Sequence, residues 1–265
     1  MKKEILSVPV NGVDFYCEKM GSGPSIVLVP DGCNDCGPYV KLMEYLSNEF
    51  TVVTFDMRGG TRSKDTAPQK VTPKRLADDV AGIVKSLDLA PVSAYGCSSG
   101  GQTVLSLGKY YPELCRNIMV HEAALQSDTP LPDAGFKFFE RMDNIIDKLK
   151  LDPTAAGIWA FGDYYAYMAL GEECHHRMDE NAKFWAQYYR GTVDRDSYTQ
   201  EDFENMPPVD FTVGVYTAAW LTQANIVTAS RGNCSVTWLY SEHHPETTST
   251  QELGEHIRQT VKKYL

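Results

Sequence analysis

The sequence has no apolar run close to the roughly 18–20 residues that a membrane-spanning helix needs. The apolar stretch after Met1-Lys2-Lys3 is short and is broken by Pro9, so no secretory signal is expected. Positive charge is scarce too, because 25 Lys and Arg stand against 35 Asp and Glu, a net charge of −10. Phosphate backbones and anionic lipids repel such a chain, so we expect neither nucleic acid nor a membrane as partner, and a cytoplasmic location.

Paired cysteines are also missing. The seven cysteines are an odd number and are scattered along the chain, which is typical of a reducing compartment. Cys33 and Cys36 have C-x-x-C spacing, but no second pair stands by to complete a zinc site. Unpartnered loop cysteines are therefore the simpler interpretation, and a redox or metal role is the alternative. With no P-loop, no G-x-G-x-x-G and no metal-ligand cluster in the sequence, we predict no cofactor and no metal.

What is present is an alternation of short β-rich runs and helical patterns. Continuous apolar strands separated by helices predict a mostly parallel sheet with helices on both faces. At the start of the chain, Asn11-Gly12 between two strand-like runs predicts an antiparallel hairpin. The predicted strands of the sheet are residues 25–29, 51–55, 91–95, 117–120, 211–216 and 236–240, and the helices between and after them are 39–47, 73–87, 102–111 and 251–264.

A different kind of sequence interrupts this α/β pattern after residue 124. Residues 125–205 contain no convincing buried strand, and 136–149, 158–170 and 179–189 have helical patterns. Thirteen of residues 130–200 are aromatic, against 11% for the whole chain. We predict one α/β core built from residues 1–124 and 206–265, with residues 125–205 inserted as a helical cap. Aromatic rings over a pocket favour a bulky apolar ligand, although simple helix packing is the alternative for any one ring.

Gly96-Cys97-Ser98-Ser99-Gly100 matches the G-x-S-x-G nucleophile elbow. It directly follows a predicted strand and precedes a predicted helix, which is the context this motif requires. Glycines two positions on either side let strand and helix approach, so that Ser98 projects at the carboxyl edge of the sheet. The alternative is a tight glycine turn with a structural serine.

The oxyanion of an acyl-transfer reaction needs two N–H donors beside this serine. One is the backbone N–H of the residue after the nucleophile, Ser99. The second is expected from the loop after strand 25–29, where Gly32 can bring a bare N–H close. Asp31 stands at the same rim, and we predict that it contacts the substrate; a turn residue is the alternative.

The general base is expected in the loop after the last strand. Of the six histidines, His243 and His244 lie there, directly after the strand that ends near Tyr240. The residues alone leave the choice between these two open.

The acid of the triad is in an unusual place. The penultimate strand runs into Thr217-Ala218-Ala219-Trp220 without a carboxylate, and Asp210 is at the wrong end of that strand. One strand earlier, Glu122 stands where the strand 117–120 ends, on the same edge as Ser98. We therefore predict Glu122 as the acid, with a helix or loop cap as the alternative.

Taken together, these residues resemble the α/β-hydrolase superfamily along the whole chain. Residues 55–63 look like its D-x-R-G-x-G-x-S segment. More narrowly, the sequence is similar to the fungal zearalenone lactone hydrolases. The similar segments are 27–32, 54–57, 96–100, His121-Glu122, 212–214 and 225–229.

The resemblance implies a triad of Ser98, Glu122 and His243, with Gly32 and Ser99 as oxyanion donors. It implies Trp185 as a cap tryptophan against the ligand. At position 244 that family has an aromatic residue instead of histidine, and the cap region is only faintly similar.

These observations predict a serine hydrolase that cleaves the lactone or carboxylic ester of a bulky apolar substrate, most simply a zearalenone-like macrolactone. We expect a monomer or homodimer. A serine at position 98 excludes dehalogenase and epoxide hydrolase chemistry, which needs an aspartate there. A carbon–carbon bond hydrolase with the same triad and a small-molecule receptor on the same fold are the alternatives.

Overall fold

The computed structural model describes residues 2–125, 167–193 and 195–265, together with residues 127, 137, 140 and 141. Its centre is a sheet of eight strands in the order β1-β2-β4-β3-β5-β6-β7-β8. The first two strands and the pairing of β2 with β4 are antiparallel, and every later pairing is parallel. The strands are β1 Glu4–Val10, β2 Val13–Met20, β3 Ser25–Val29, β4 Thr51–Phe55, β5 Val92–Cys97, β6 Cys115–His121, β7 Val209–Gly214 and β8 Ser235–Leu239.

Helices in the described part of the chain lie on both faces of the sheet. Helices α2 and α3 pack together on one face, and α1 packs against α8 on the other. The helices are α1 Val40–Leu46, α2 Pro73–Ser86, α3 Ser99–Tyr110, α4 Glu172–Tyr188, α5 Gln200–Glu204, α6 Ala219–Arg231, α7 Pro245–Thr248 and α8 Thr250–Lys263.

The predicted α/β-hydrolase fold, a mostly parallel sheet between helical layers, is confirmed. Strands β3 and β4 have the predicted bounds, and the others differ from prediction by a few residues at their ends. The predicted hairpin is present, and its turn residues Asn11 and Gly12 have φ of 48° and 80°. Both values lie in the left-handed region that a two-residue hairpin turn requires.

Two helices differ from the sequence prediction. Helix α4 begins at Glu172, whereas the pattern predicted a start at residue 179. The earlier residues are mostly polar, but Cys174 and Met178, one turn apart, are buried and extend the apolar stripe. Helix α6 was not predicted, because its apolar residues show little helical periodicity. Nearly all of the predicted helices 136–149 and 158–170 lie outside the described residues, and the cap boundaries stay a prediction.

The parallel strands end at one edge of the sheet, and this edge positions the candidate site. Neighbouring strands β3, β5, β6 and β7 all deliver their carboxyl ends to it. In an open α/β sheet, ligands bind outside this edge. No helix of the described residues has the length and apolar character to cross a bilayer.

Candidate active site

Ser98 occupies a strained turn between β5 and α3. Its φ of 54° and ψ of −120° are sparsely populated for a residue with a side chain. The flanking glycines are required by the crossing of strand and helix. A Cβ on Gly96 would lie 2.2 Å from the carbonyl oxygen of Gly100, and one on Gly100 would lie 2.3 Å from that of Val29. The backbone N–H of Ser98 donates to the carbonyl of His121 (3.0 Å), which ties the turn to the end of β6.

Glu122 and His243 meet at this edge. The carboxylate Oε2 of Glu122 lies 2.8 Å from Nδ1 of His243. Glu122 directly follows β6 and is fully buried, whereas the imidazole of His243 is 25% exposed. Because Nδ1 faces the carboxylate, Nε2 is the nitrogen that remains for a substrate or a nucleophile. The two residues that the sequence analysis paired as base and acid are therefore in direct contact.

The environment keeps Glu122 ionised. Burial alone would raise the pKa of its carboxyl, but the hydrogen bonds with His243 and with the N–H of Gly214 hold that pKa below its usual range. Gly214 N–H donates to the second oxygen, Oε1, at 2.7 Å. His121 is itself fully buried, and burial lowers its pKa to about 3, so this neighbouring imidazole is neutral.

Backbone and side-chain contacts that the sequence did not reveal hold Glu122 in place. Its own φ is 43°, so the chain turns sharply after β6. Asn225 of α6 clamps the next residue, since its Oδ1 accepts from the N–H of Ala123 (2.8 Å) and its Nδ2 donates to the carbonyl of Ala123 (3.0 Å). The one available signal was the resemblance of segments 212–214 and 225–229, which contain Gly214 and Asn225.

Gly32 and Ser99 lie on the two segments that flank Ser98. Ser99 is the first residue of α3, where backbone N–H groups lack helical acceptors. Gly32 lies against the indole of Trp185, because a Cβ on Gly32 would lie 3.1 Å from Nε1 of that tryptophan. Nε1 is buried and has no hydrogen-bond partner within the described residues. The structure therefore brings Trp185 and Gly32 together.

The loop that carries Gly32 is anchored at its far end. Asp56 accepts from the N–H of Cys36 (3.0 Å) and forms a two-pronged ion pair with Arg62 at 2.7 Å. Arg177 of helix α4 donates two hydrogen bonds to the carboxylate of Asp35, at 2.6 and 3.1 Å. Bidentate pairs of this kind fix geometry as well as contributing energy. Asp56 and Arg62 of segment 55–63 thus anchor the loop that carries Gly32.

Asp31 and His244 are buried together behind Gly32. Nδ1 of His244 lies 3.0 Å from Oδ2 of Asp31 and 3.1 Å from Oε1 of Glu246. The other oxygen of Asp31 accepts from the N–H of Cys33 (2.8 Å). Asp31 is only 1% exposed, and its predicted contact with a substrate stays a prediction.

One group in the described part of the chain has the donor set for a metal ion. Its donor atoms, from Asp31, Cys97, His244 and Glu246, all lie within 4.8 Å of one another. The Nδ1 of His244 forms a hydrogen bond with Oε1 of Glu246 (3.1 Å) and an ion-pair contact with Oδ2 of Asp31. The cysteines of the C-x-x-C segment are unpaired thiols, and burial raises the pKa of both Cys33 and Cys36 well above its ordinary value.

Several known proteins are similar to this chain in sequence. Residues 24–205 match the family model described as alpha/beta hydrolase fold. A zearalenone hydrolase of Cladophialophora bantiana is 33% identical over 96% of this chain and 95% of its own length. A zearalenone hydrolase of Bionectria ochroleuca is 31% identical over 99% of both chains.

Solved structures show the same fold at lower identity. An esterase from Thermogutta terrifontis superposes with a TM-score of 0.76 at 17% identity, covering 100% of this chain and 99% of its own. The enol-lactonase of Burkholderia xenovorans gives a TM-score of 0.68 at 20% identity, with 97% and 98% covered.

Proposed function

This chain belongs to the α/β-hydrolase family, and from that premise we propose that it opens the ester bond of a bulky apolar lactone through an acyl-enzyme on Ser98. It is a hydrolase of the ester- and lactone-cleaving kind. The proposed substrate is a zearalenone-like macrolactone, and the proposed catalytic residues are Ser98, His243 and Glu122.

The contact between Glu122 and His243 is the single observation that carries this proposal. A buried, ionised carboxylate 2.8 Å from Nδ1 fixes the imidazole tautomer that has its lone pair on Nε2. It also stabilises the imidazolium that forms when the base accepts a proton. The strained turn at Ser98 supports the assignment, because it presents the hydroxyl at the same edge of the sheet.

In the first half of the reaction, Oγ of Ser98 attacks the ester carbonyl while Nε2 of His243 takes the hydroxyl proton. Negative charge develops on the carbonyl oxygen, and the N–H groups of Gly32 and Ser99 stabilise it. The loss of one such donor has cost other hydrolases about 10²–10³ in turnover. The imidazolium then returns its proton to the leaving oxygen.

In a lactone the leaving alkoxide stays attached to the acyl group through the ring. Ring opening therefore leaves a hydroxyacyl chain on Ser98 rather than releasing an alcohol. A water molecule, deprotonated by His243, attacks this ester, and collapse of the second tetrahedral intermediate frees the hydroxy acid. Net, one water is added and no other co-reactant is needed.

The choice of substrate rests on the cap side of the site. Trp185 lies over Gly32 with its buried Nε1–H unpaired within the described residues, so a substrate oxygen there would satisfy a donor next to the reacting carbonyl. The aromatic content of residues 130–200 favours a large apolar ring system. The two relatives at about 30% identity are named for zearalenone hydrolysis. We further propose that residues 125–205 form the cap over this pocket.

The direct test is to incubate the protein with zearalenone and a panel of smaller lactones and aryl esters, in water enriched in oxygen-18. We expect loss of the macrolactone and a product that has gained one water, with one labelled oxygen in the new carboxylate. Ser98→Ala should abolish this turnover. Ser86→Ala, a change at an exposed position at the end of α2, is the matched control.

The other outcomes separate the remaining functions. Cleavage of simple esters alone, with every lactone unchanged, would reduce the proposal to a generic esterase. Cleavage of a vinylogous diketone but no ester would indicate a carbon–carbon bond hydrolase. Saturable binding of zearalenone without turnover would indicate a receptor and would contradict the catalytic proposal.

A further inference from the structure

The loop after β8 carries a second histidine, His244, which has no role in the proposed mechanism. His244 is 6% exposed, and its Nδ1 lies within 3.1 Å of carboxylate oxygens from two separate segments, Asp31 and Glu246. All three side chains are buried.

A proton on the imidazole offsets the charge of the two carboxylates in this cluster. Burial raises the pKa of Glu246, and contact with His244 lowers it in turn. A neutral His244 would leave two buried carboxylates facing each other across an uncharged ring, which a low-dielectric interior strongly disfavours. Burial by itself lowers the pKa of His244, but Asp31, Cys97 and Glu246 raise it well above its ordinary value. The same ion pair holds the pKa of Asp31 at about 2 despite its burial.

The thiols, the phenols and His121 around the cluster carry no charge. Burial raises the pKa of the neighbouring thiols and phenols well above their ordinary values, so they are neutral, and His121 is neutral as well. The groups that face the cluster from the surrounding strands and loops are Cys33, Tyr39, Tyr95, Cys97, His121, Glu122 and His243.

The cluster joins the two loops on which the reaction depends. Asp31 directly precedes Gly32, and its second oxygen fixes the turn through the N–H of Cys33. His244 directly follows His243, whose carbonyl accepts from the thiol of Cys97 at 3.1 Å. Contacts within the cluster therefore link the position of the Gly32 loop to the position of the His243 loop.

We propose that His244, as a buried imidazolium between Asp31 and Glu246, is a positioning residue that sets the N–H of Gly32 relative to His243. This role rests on the proposed function of Gly32 and His243. It acts in the transition state, because only the developing oxyanion needs the Gly32 donor at full strength. A neutral residue at position 244 leaves Asp31 buried without its counter-charge, and the loop relaxes toward solvent.

The test compares His244→Gln with His176→Gln, the same change at an exposed position on α4. The substrate is an activated aryl ester, and the probe is an aryl trifluoromethyl ketone, which forms a hemiketal oxyanion on Ser98. We expect kcat to fall roughly ten- to hundredfold in His244→Gln, with KM changed less than about threefold. Affinity for the ketone should weaken in parallel with kcat, and the control should match the parent protein.

Glu246→Gln is the second variant, and its readout is the pH profile. Removing one carboxylate lowers the pKa of His244, so the imidazolium is lost at lower pH than in the parent. We expect an alkaline decline of kcat that begins at lower pH in Glu246→Gln. If His244 only packs against its neighbours, the shape of the pH profile of kcat will be the same in Glu246→Gln as in the parent. Glu246→Gln also tests the proposal if His244→Gln fails to fold.

The outcomes distinguish this inference from the proposed function. If the parent protein shows no Ser98-dependent ester turnover, the proposed function itself fails. If the parent is active but both variants keep its kcat, ketone affinity and pH profile, the role of His244 is overturned. Stoichiometric zinc in the purified parent, lost in His244→Gln, would also overturn it by assigning the cluster to a metal ion.

Discussion

Two adjacent histidines on one loop face two different environments. His243 turns its Nδ1 to one buried carboxylate and keeps 25% of its side chain exposed at the edge of the sheet. His244 turns its Nδ1 to two carboxylates and is buried beside the loop that carries Gly32. Both are imidazole–carboxylate contacts of about 3 Å, but the ring of His243 is much more exposed than that of His244.

The comparison indicates that the burial of an imidazole and the number of carboxylates beside it set its charge, even though both residues are histidines. With one carboxylate and an open Nε2, His243 can alternate between neutral and charged forms during a reaction. With two carboxylates and 6% of its surface exposed, His244 has a pKa raised well above its ordinary value. The exposed pair is suited to proton transfer, and the buried cluster is suited to holding a loop.

The strongest way to break this comparison is to remove the exposed base. In His243→Gln we expect kcat for an aryl ester to fall about 10⁵–10⁶-fold, because loss of the triad histidine alone removes nearly the whole triad effect. Stopped-flow and long-time-course assays measure this against His244→Gln. Equal losses in the two variants would mean that the two histidines have been assigned the wrong way round.

A smaller loss of kcat is expected from a substitution at Gly32. In Gly32→Ala the new Cβ would stand 3.1 Å from Nε1 of Trp185, so either the indole or the loop must shift. We expect a loss of about 10²-fold in kcat, comparable to the loss of one oxyanion donor. A variant with parent-like kcat and unchanged ketone affinity would remove Gly32 from the oxyanion site.

Substrates of different size test the part of the site near the exposed His243. Trp185→Phe keeps an aromatic ring but removes the unpaired Nε1 donor, so we expect kcat/KM for a macrolactone to fall about two- to tenfold. An acetyl ester, too small to reach the indole, should lose little. Equal losses on both substrates would indicate that Trp185 supports the loop rather than the ligand.

The pH dependence of stability separates the buried histidines from each other. The folded pKa of His244 is raised, so its stabilising effect is complete below its unfolded value of about 6.5 and is lost as pH rises through the folded pKa. The folded pKa of His121 is about 3, so its effect is present above about 6.5 and is lost as pH falls toward 3.

Thermal unfolding between pH 4 and 10 should therefore show a Tm that declines on both sides of neutrality. In His244→Gln we expect a lower Tm at pH 6–7 and a shallower alkaline decline, while the acidic decline persists. If the alkaline slope of this variant equals that of the parent, His244 is not charged in the folded protein.

The sequence allowed the fold to be predicted and the candidate catalytic residues to be chosen, because each has a local signal. Apolar strands with punctuating turns predict the sheet, and Gly96 and Gly100 predict the turn at Ser98. Glu122 was found by asking where strands end, since parallel strands bring their carboxyl ends to one edge. Local pattern was enough wherever the signal lay within one strand and its following loop.

No local sequence pattern predicts the contacts that hold Glu122 and the Gly32 loop in place. The N–H of Gly214, the amide of Asn225 and the imidazole of His244 meet partners that are distant along the chain. Which of two adjacent histidines faces solvent depends on how α7 turns after the loop, and no periodic pattern encodes that. The burial of His256 on α8, which is half-buried with its Nε2 enclosed, likewise has no local signal.

The most direct test of the central claim is the rate at which a fluorophosphonate labels Ser98 in Glu122→Gln. The account predicts a folded protein whose labelling slows about 10³–10⁴-fold, because the imidazole loses its orienting charge. The matched control is Asp210→Asn, which changes the carboxylate at the opposite end of β7 and should label like the parent. Labelling of Glu122→Gln at the parent rate would contradict the claim that Glu122 orients His243.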